Sequence, residues 1–259
     1  MLRTLRRFFV DAPLSREDTR VELSSRETYH LQRVLRLKVG DHCQIFSRTG
    51  QRAQATIQSI SKGGRALLQL DELFSSPETS LRLKVGQALP QKRKMDVLVD
   101  WASELGIQEL WVMETERTIV KMKGEARERA RRRWERIAVE ASKQSRNPVF
   151  ARIEGPLPFE KIVNEKIEPS DRTFLFHPDP QGLPFPEFVE SIQRPSAGES
   201  LPSIFLFFGP EGGFSEKEVE RADSRGIQKV FLGDSIFRME VAFLGVLASL
   251  QFLRTSPIK

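Results

Sequence analysis

Apolar and polar positions change their period near residue 80. Before it, apolar residues alternate with polar ones over short runs: Cys43 to Ser47, Ala53 to Ile60 and Ala66 to Leu70, separated by Thr49-Gly50 and Lys62-Gly63-Gly64. Alternation broken by turn residues predicts hairpin-connected strands, as in a small antiparallel barrel. Thr28 to Leu37 carries a helical pattern that Gly40-Asp41 ends, and the whole β-rich region spans residues 1–72. Ser75-Ser76-Pro77-Glu78-Thr79-Ser80 is polar, contains a proline and reads as the core of a linker over 73–80.

Beyond the linker, strand-length apolar runs alternate with helical ones across residues 81–259. Leu81 to Leu89, Leu110 to Met113, Thr173 to Phe176, Ile204 to Phe208 and Val230 to Leu232 read as strands. Lys94 to Leu105, Glu125 to Ser145, Pro184 to Ile192, Ser215 to Arg225 and Phe237 to Leu253 read as helices. Alternation of this kind predicts an α/β domain built on a doubly wound parallel sheet. The last helix is apolar all round, which predicts that it is buried. Residues 194 to 203, with Pro195, Gly198 and Pro202, read as a loop.

Two strand-to-turn-to-helix junctions carry the candidate chemistry. The first is Phe207-Phe208-Gly209-Pro210-Glu211-Gly212-Gly213-Phe214-Ser215, and the second is Leu232-Gly233-Asp234-Ser235-Ile236-Phe237-Arg238-Met239-Glu240. Turns at neighbouring strand ends are where an α/β sheet builds a ligand pocket. Glycines there let the backbone approach the ligand. Neither a GxGxxG pattern nor a P-loop is present, since no lysine follows Gly213. Glu211 in mid-turn would repel a phosphate and spoil a helix N-terminus as an anion site. The turns therefore suit a nucleoside-like, phosphate-free and cationic ligand, of which S-adenosylmethionine is an example. Ser215 and Glu218 also have the spacing of a capping box, so the first turn doubles as a helix start.

The set Gly209-Pro210-Glu211-Gly212-Gly213-Phe214-Ser215, Leu232-Gly233 and Ile236-Phe237-Arg238-Met239-Glu240-Val241-Ala242 resembles the RsmE family, small-subunit ribosomal RNA methyltransferases of the SPOUT class. Arg6-Arg7-Phe8-Phe9, His30-Leu31 to Leu37, Val39-Gly40-Asp41, Glu104-Leu105-Gly106 and Glu140-Ala141 to Gln144 extend the resemblance over nearly the whole chain. It implies a PUA-like RNA-binding barrel followed by a SPOUT domain whose last helix is threaded into a trefoil knot. It also implies S-adenosylmethionine as cofactor, N3 of a uridine in 16S rRNA of the 30S subunit as target, and a homodimer. The implied cofactor contacts are Phe207, Gly209, Pro210, Glu211, Gly212, Gly213, Leu232, Gly233, Ile236, Phe237 and Arg238. The chain departs from the family pattern at Met239 and Val241, where threonine is common, and at Asn147, where arginine is common and Arg146 stands one place earlier. Two other readings stay open: a SPOUT methyltransferase of another RNA such as tRNA, and a non-catalytic RNA-binding protein on the same fold.

Uridine N3 carries a proton at neutral pH, so its methylation needs that proton removed. Arg238 is the candidate to stabilise the resulting anion or its flanking phosphate, and Glu240 or Glu211 the candidate to assist deprotonation. Alternatively, Arg238 pairs with one of these carboxylates and holds the loop. Net charge is +6 with a pI near 9.6, compatible with a polyanionic partner. Candidate RNA contacts are Arg131 and Arg132 in the basic run 127–136, Arg146, and Arg3, Arg6 and Arg7 beside Phe8 and Phe9. The alternatives are a solvated helix face, with Glu128 and Arg132 paired, and phenylalanines packed in the barrel. His177, at the end of a strand, is weighed as a pocket border. One cysteine, Cys43, excludes an intrachain disulfide and reads as a packing residue. Three scattered histidines predict no metal site. No apolar run reaches the roughly 20 residues of a membrane helix, and the basic N-terminus lacks a signal-peptide core. A cytoplasmic location is expected.

Overall fold

The computed structural model describes residues 6–61, 63–74, 81–145, 149–193 and 203–255. It divides into two compact units: Met1–Glu78 with Ser142–Phe150, and Thr79–Ala141 with Ala151–Lys259. The first unit holds β1 (Arg7–Val10), β2 (Arg20–Glu22), α1 (Ser25–Tyr29), which continues as a π-helical turn over His30–Val34, β3 (His42–Ser47), β4 (Arg52–Ile60) and β5 (Ala66–Phe74). These strands form one sheet in the order β1-β3-β4-β5-β2. The hairpins β3–β4 and β4–β5 are antiparallel as the alternation predicts, whereas β1 lies parallel to β3. The sheet wraps a core of Phe8, Leu23, Leu31, Ile45, Ile57 and Leu68.

The sequence pattern did not anticipate β1 as a strand, but the alternative reading of phenylalanines packed in the barrel holds for Phe8. In the fold Phe8 is fully buried. Phe9 packs on Phe46 and Phe150, with ring centroids 5.4 and 5.1 Å apart. Arg7 is buried as well: its guanidinium lies over the Phe46 ring and donates to the Ser142 carbonyl at 3.1 Å. This corrects its assignment as an RNA contact, since a cation used as packing and as a hydrogen-bond donor is not offered to a ligand. Arg6 remains exposed. Arg3 and Arg146 lie outside the described residues, as do Asn147, residues 75–80 of the expected linker and most of the expected loop.

The second unit contains β6 (Arg82–Ala88), α2 (Lys94–Glu104), β7 (Glu109–Glu114), α3 (Gly124–Ser145, whose last residues belong to the first unit), β8 (Arg152–Pro158), α4 (Phe159–Glu165), β9 (Asp171–Phe176), β10 (Leu183–Pro184), α5 (Phe185–Gln193), β11 (Ser203–Phe208), α6 (Glu216–Ser224), β12 (Gln228–Phe231) and α7 (Met239–Thr255). Its strands form one sheet, β10-β12-β9-β11-β6-β7-β8, with every pair parallel. A parallel sheet covered on both faces has strands that are apolar throughout, and β11 (SIFLFF) is buried at every position. The pleat sorts its phenylalanines. Phe205 and Phe207 join Phe159 and Ile162 of α4 on one face. Phe208 stacks on Phe176 of β9 and meets Phe243 of α7 on the other. Gly86 of β6 makes room for this packing: a Cβ there would come within 2.7 Å of the Phe207 ring.

Strands β8 and β10 and helix α4 escaped the sequence pattern. Pro156 and Pro158 interrupt β8, and Pro184 ends the two-residue β10. Both strands are at sheet edges, where a residue without an N–H is tolerated. The expectation for α7 also needs correcting. Phe243, Val246, Leu247 and Leu250 are buried, but Val241, Leu244 and Phe252 are 50%, 36% and 70% exposed. An apolar helix is thus half covered within one chain.

Cys43 is fully buried in the first core, and burial pushes its thiol up to about 12. The thiolate is the reactive form. Cys43 should therefore stay unmodified by a thiol reagent at pH 8 in the native protein and react fully in denaturant, which a colorimetric thiol titration checks.

Candidate functional site

A cavity of about 280 Å³ opens at the C-terminal ends of β9, β11 and β12. This is the end of a parallel sheet at which ligands bind. Both predicted turns line it: Gly209, Pro210, Glu211, Gly212 and Gly213 from the first, and Leu232, Gly233, Ile236 and Phe237 from the second. Gly213 and Gly233 adopt φ of +69° and +110°, a region that side chains with a Cβ avoid. Gly209 faces a different restriction, because a Cβ there would press on the Phe214 ring at 3.2 Å.

Phe207 does not line the cavity. Its side chain turns into the α4 face, and the wall belongs to its neighbour Phe208, stacked with Phe176 at 4.6 Å. The motif pointed at the right strand end, but a one-residue step reverses the face. Phe176, His177, Pro178, Phe214, Ser235, Met239 and Ala242 also line it. Burial lowers the pKa of His177, against the pull of Asp179, so its imidazole is neutral at neutral pH.

Ser215 caps α6 as expected. Its Oγ accepts from the Glu218 amide at 3.3 Å, and the Glu218 carboxylate accepts from the Ser215 amide at 2.8 Å. The same carboxylate takes the Glu116 amide at 2.8 Å, so one side chain fixes two loops. Arg117 next to it donates to the Gly212 carbonyl at 2.8 Å. Neither Glu116 nor Arg117 carries a pattern that sequence reasoning could have used.

The main residue missed by sequence reading is Lys94. Its Nζ lies 3.2 Å from Glu211 Oε1 and 3.2 Å from Glu240 Oε1. Glu211 also accepts from the Gln91 amide at 3.2 Å. The loop pairing expected of Arg238 therefore belongs to Lys94. Arg238 is exposed, its guanidinium makes no hydrogen bond or ion pair among the described residues, and it is not part of the cavity wall. Its backbone carbonyl starts α7, accepting from the Val241 and Ala242 amides. A signal for Lys94 did exist: Lys92-Arg93-Lys94 opens a helix just after β6, at the same end of the sheet as both turns.

Glu240 is held below the usual carboxylate range, first by its own backbone amide at the start of α7, then by Lys94 and Arg238. Lys94 is held above the usual lysine range by Glu211 and then Glu240. Among the described residues that line the cavity, Glu211 is the only carboxylate, and no lysine or arginine is present.

The basic run of α3 divides by face. Arg131 is paired with Glu128 at 3.1 Å and Glu135 at 2.7 Å, which raises its pKa and occupies its donors. Glu128 thus pairs at i,i+3 with Arg131 rather than at i,i+4 with Arg132, which stays exposed.

The pattern of an RNA methyltransferase domain matches residues 77–251. The chain belongs to the RNA methyltransferase family. An RNA methyltransferase PUA domain matches residues 23–65, within the curled sheet of the first unit. The chain is 26% identical to Ribosomal RNA small subunit methyltransferase E of Bacillus subtilis, over 96% of both chains. It is 29% identical to that of Synechocystis, over 95% of this chain and 78% of the other. The crystal structure of Ribosomal RNA small subunit methyltransferase E from Neisseria gonorrhoeae, bound to S-adenosyl methionine, superposes with a TM-score of 0.79 at 23% identity, over 96% of this chain and 98% of that one. In this RNA methyltransferase the expected α/β class, with a PUA-like unit before a parallel sheet, holds. Among the described residues, no helix is long and apolar enough to cross a membrane.

The Lys94 bridge gives a signed pH expectation. Glu240 has a depressed folded-state pKa, so its stabilising contribution is present above the unfolded value and lost as pH falls through the folded one. Lys94 has a raised pKa, so its contribution persists through neutral pH and is lost as pH rises through the folded value. Carbon-13 NMR titration of the glutamate carboxyls should show Glu240 titrating below the ordinary range. In Lys94→Met it should move only part of the way back, because the larger cause, its own amide, remains.

Proposed function

We propose that this chain transfers a methyl group from S-adenosylmethionine to N3 of a uridine in 16S rRNA. The observation that carries the reading is the charge of the cavity: two glycine turns, aromatic walls and one carboxylate, with no lysine or arginine among the described lining residues. Such a lining disfavours phosphorylated nucleotides and suits a nucleoside bearing positive charge. The residues fit S-adenosylmethionine. The turns at 209–213 and 232–237 would hold it, with Phe176, Phe208 and Leu232 against its apolar surface and Glu211 toward its cationic part. When bound, it supplies a methyl group already activated by its sulfonium.

The chain's own residues then have to handle the uridine. Arg238, exposed beside the cavity and free of an ion pair among the described residues, stabilises the anion left when N3 loses its proton. Glu240, kept ionised below the usual carboxylate range, orients the water that removes the proton. Lys94 is a positioning residue, holding Glu211 and Glu240 in one arrangement. The PUA-like unit helps to place the RNA. The sequence-based boundaries of 1–72, 73–80 and 81–259 differ from the compact units, since β5 runs to Phe74 and Ser142–Phe150 group with the first unit. A trefoil-knotted C-terminus, as in the SPOUT class, agrees with β12 lying between β9 and β10 while β11 separates β9 from β6. A substrate in the ribosome supports a cytoplasmic location.

The active assembly is a homodimer. Support comes from α7: Val241, Leu244 and Phe252, spaced along one face, continue the exposure of Phe237 (47%) and Ile236 (93%) at the mouth of the cavity. A second copy on this face would bury the stripe and close the mouth.

Labelled S-adenosylmethionine, incubated with 30S subunits lacking the modification and with tRNA in parallel, tests the activity. One new reverse-transcription stop in 16S rRNA is expected; transfer to tRNA alone would overturn the assignment. Arg238→Ala should lower kcat by about 10²-fold, the usual effect of losing an anion-stabilising donor, with little change in cofactor affinity. The double substitution Val241→Lys and Leu244→Lys should shift the sedimenting species from dimer to monomer.

A further inference from the structure

A second cavity, of about 230 Å³, lies in the same unit and is lined by the residues that follow β6 and by one face of α3. Its floor is apolar, with Leu89, Met95 and Trp134 almost fully buried. Its rim is basic: Lys92, Arg93, Arg129 and Arg133, against the single carboxylate of Asp96. Arg133 is engaged by Asp96, and Arg129 by Glu125 at 3.0 Å. Lys92 and Arg93 are exposed and have no hydrogen bond or ion pair from their side chains among the described residues.

The backbone at this point is strained. Lys92 has φ +57°, a left-handed conformation that residues with a Cβ seldom adopt. Such strain persists only where the surroundings enforce it, and it is found at ligand sites. Its geometric effect is visible in the neighbours. Gln91 donates its amide to Glu211, and Lys94 reaches both Glu211 and Glu240. Lys92 and Arg93, in the same segment, line the second cavity instead. Residues 91–94 thus run between two cavities of different character, one whose described lining has a single charged carboxylate, Glu211, paired with Lys94, and one rimmed by cations.

We infer that the second cavity is a subsite for the RNA strand, holding the phosphate of a nucleotide close to the one being methylated. The reading rests on the RNA methyltransferase function proposed above and adds to it a place for the substrate backbone. The charge favours a polyanion, and the 91–94 segment puts it one wall away from Glu211 and Glu240. The division of α3 agrees. Arg131, expected from sequence to contact RNA, lies on another face between two glutamates, while Arg129 and Arg133 border the cavity with one carboxylate partner each.

Equilibrium binding of 16S rRNA at several salt concentrations tests the subsite, using the full-length protein and the variants Lys92→Gly, Arg93→Ala and Arg129→Ala. Lys92→Gly removes the charge and adds no backbone strain, because glycine tolerates the left-handed conformation. Each variant is expected to bind rRNA several-fold more weakly. The slope of log K against log salt should become shallower by about 0.7 for each single-strand phosphate that is no longer neutralised. Affinity for S-adenosylmethionine, measured by calorimetry, should stay as in wild type. Unchanged rRNA affinity and salt slope in all three variants would overturn the subsite and leave the methyltransferase reading intact. Variants that lose rRNA affinity, in a protein whose wild type transfers no methyl group to rRNA, would uphold the subsite and sink the reaction.

Discussion

Lys94 joins parts of the chain that are far apart: Glu211 is 117 residues away and Glu240 is 146. The first belongs to the turn after β11, and the second to the start of α7. Both turns depend on glycines in backbone conformations with little intrinsic preference to stay folded. A single ammonium between two carboxylates ties the first turn to the start of α7. The ion pair is partly solvated, so its worth lies in geometry more than in stability. The first turn is also held by the Glu218 carboxylate, which accepts the Ser215 amide, and by Arg117, which donates to the Gly212 carbonyl.

The sheet provides the frame for this arrangement. Parallel strands buried on both faces must present their ends on one side of the layer, and the chain places its glycine turns there. The alternation of β11 decides which aromatic ring faces the ligand. Phe207 serves the core under α4, and Phe208 serves the cavity together with Phe176.

Much of this was legible in the sequence. The change of period near residue 80, the buried strands 82–88 and 203–208, the capping box at Ser215 and Glu218, and the two turns all follow from local pattern. What was not legible depends on distant partners. Arg7 looks like a surface cation until Phe46 and Ser142 surround it. Arg131 looks available until Glu128 and Glu135 take its donors. Lys94 looks like any lysine in a first helical turn until the fold brings two carboxylates to it. Strand β8 was hidden by prolines that are tolerated only because it is the last in the sheet. Helix α7 looked like a core helix because composition does not say how many of its faces one chain can cover.

The placement of those prolines bears on how copies of this chain can meet. An open sheet edge normally offers a row of free amide and carbonyl groups to any extended segment, and edge-to-edge growth is its common failure. Here Pro156 and Pro158 stand in one outer strand and Pro184 in the other, and the latter is only two residues long. Lateral extension of the sheet from copy to copy is thereby discouraged at both margins. The seven-stranded sheet is thus finished at both ends by its own sequence, without a covering element from elsewhere in the chain.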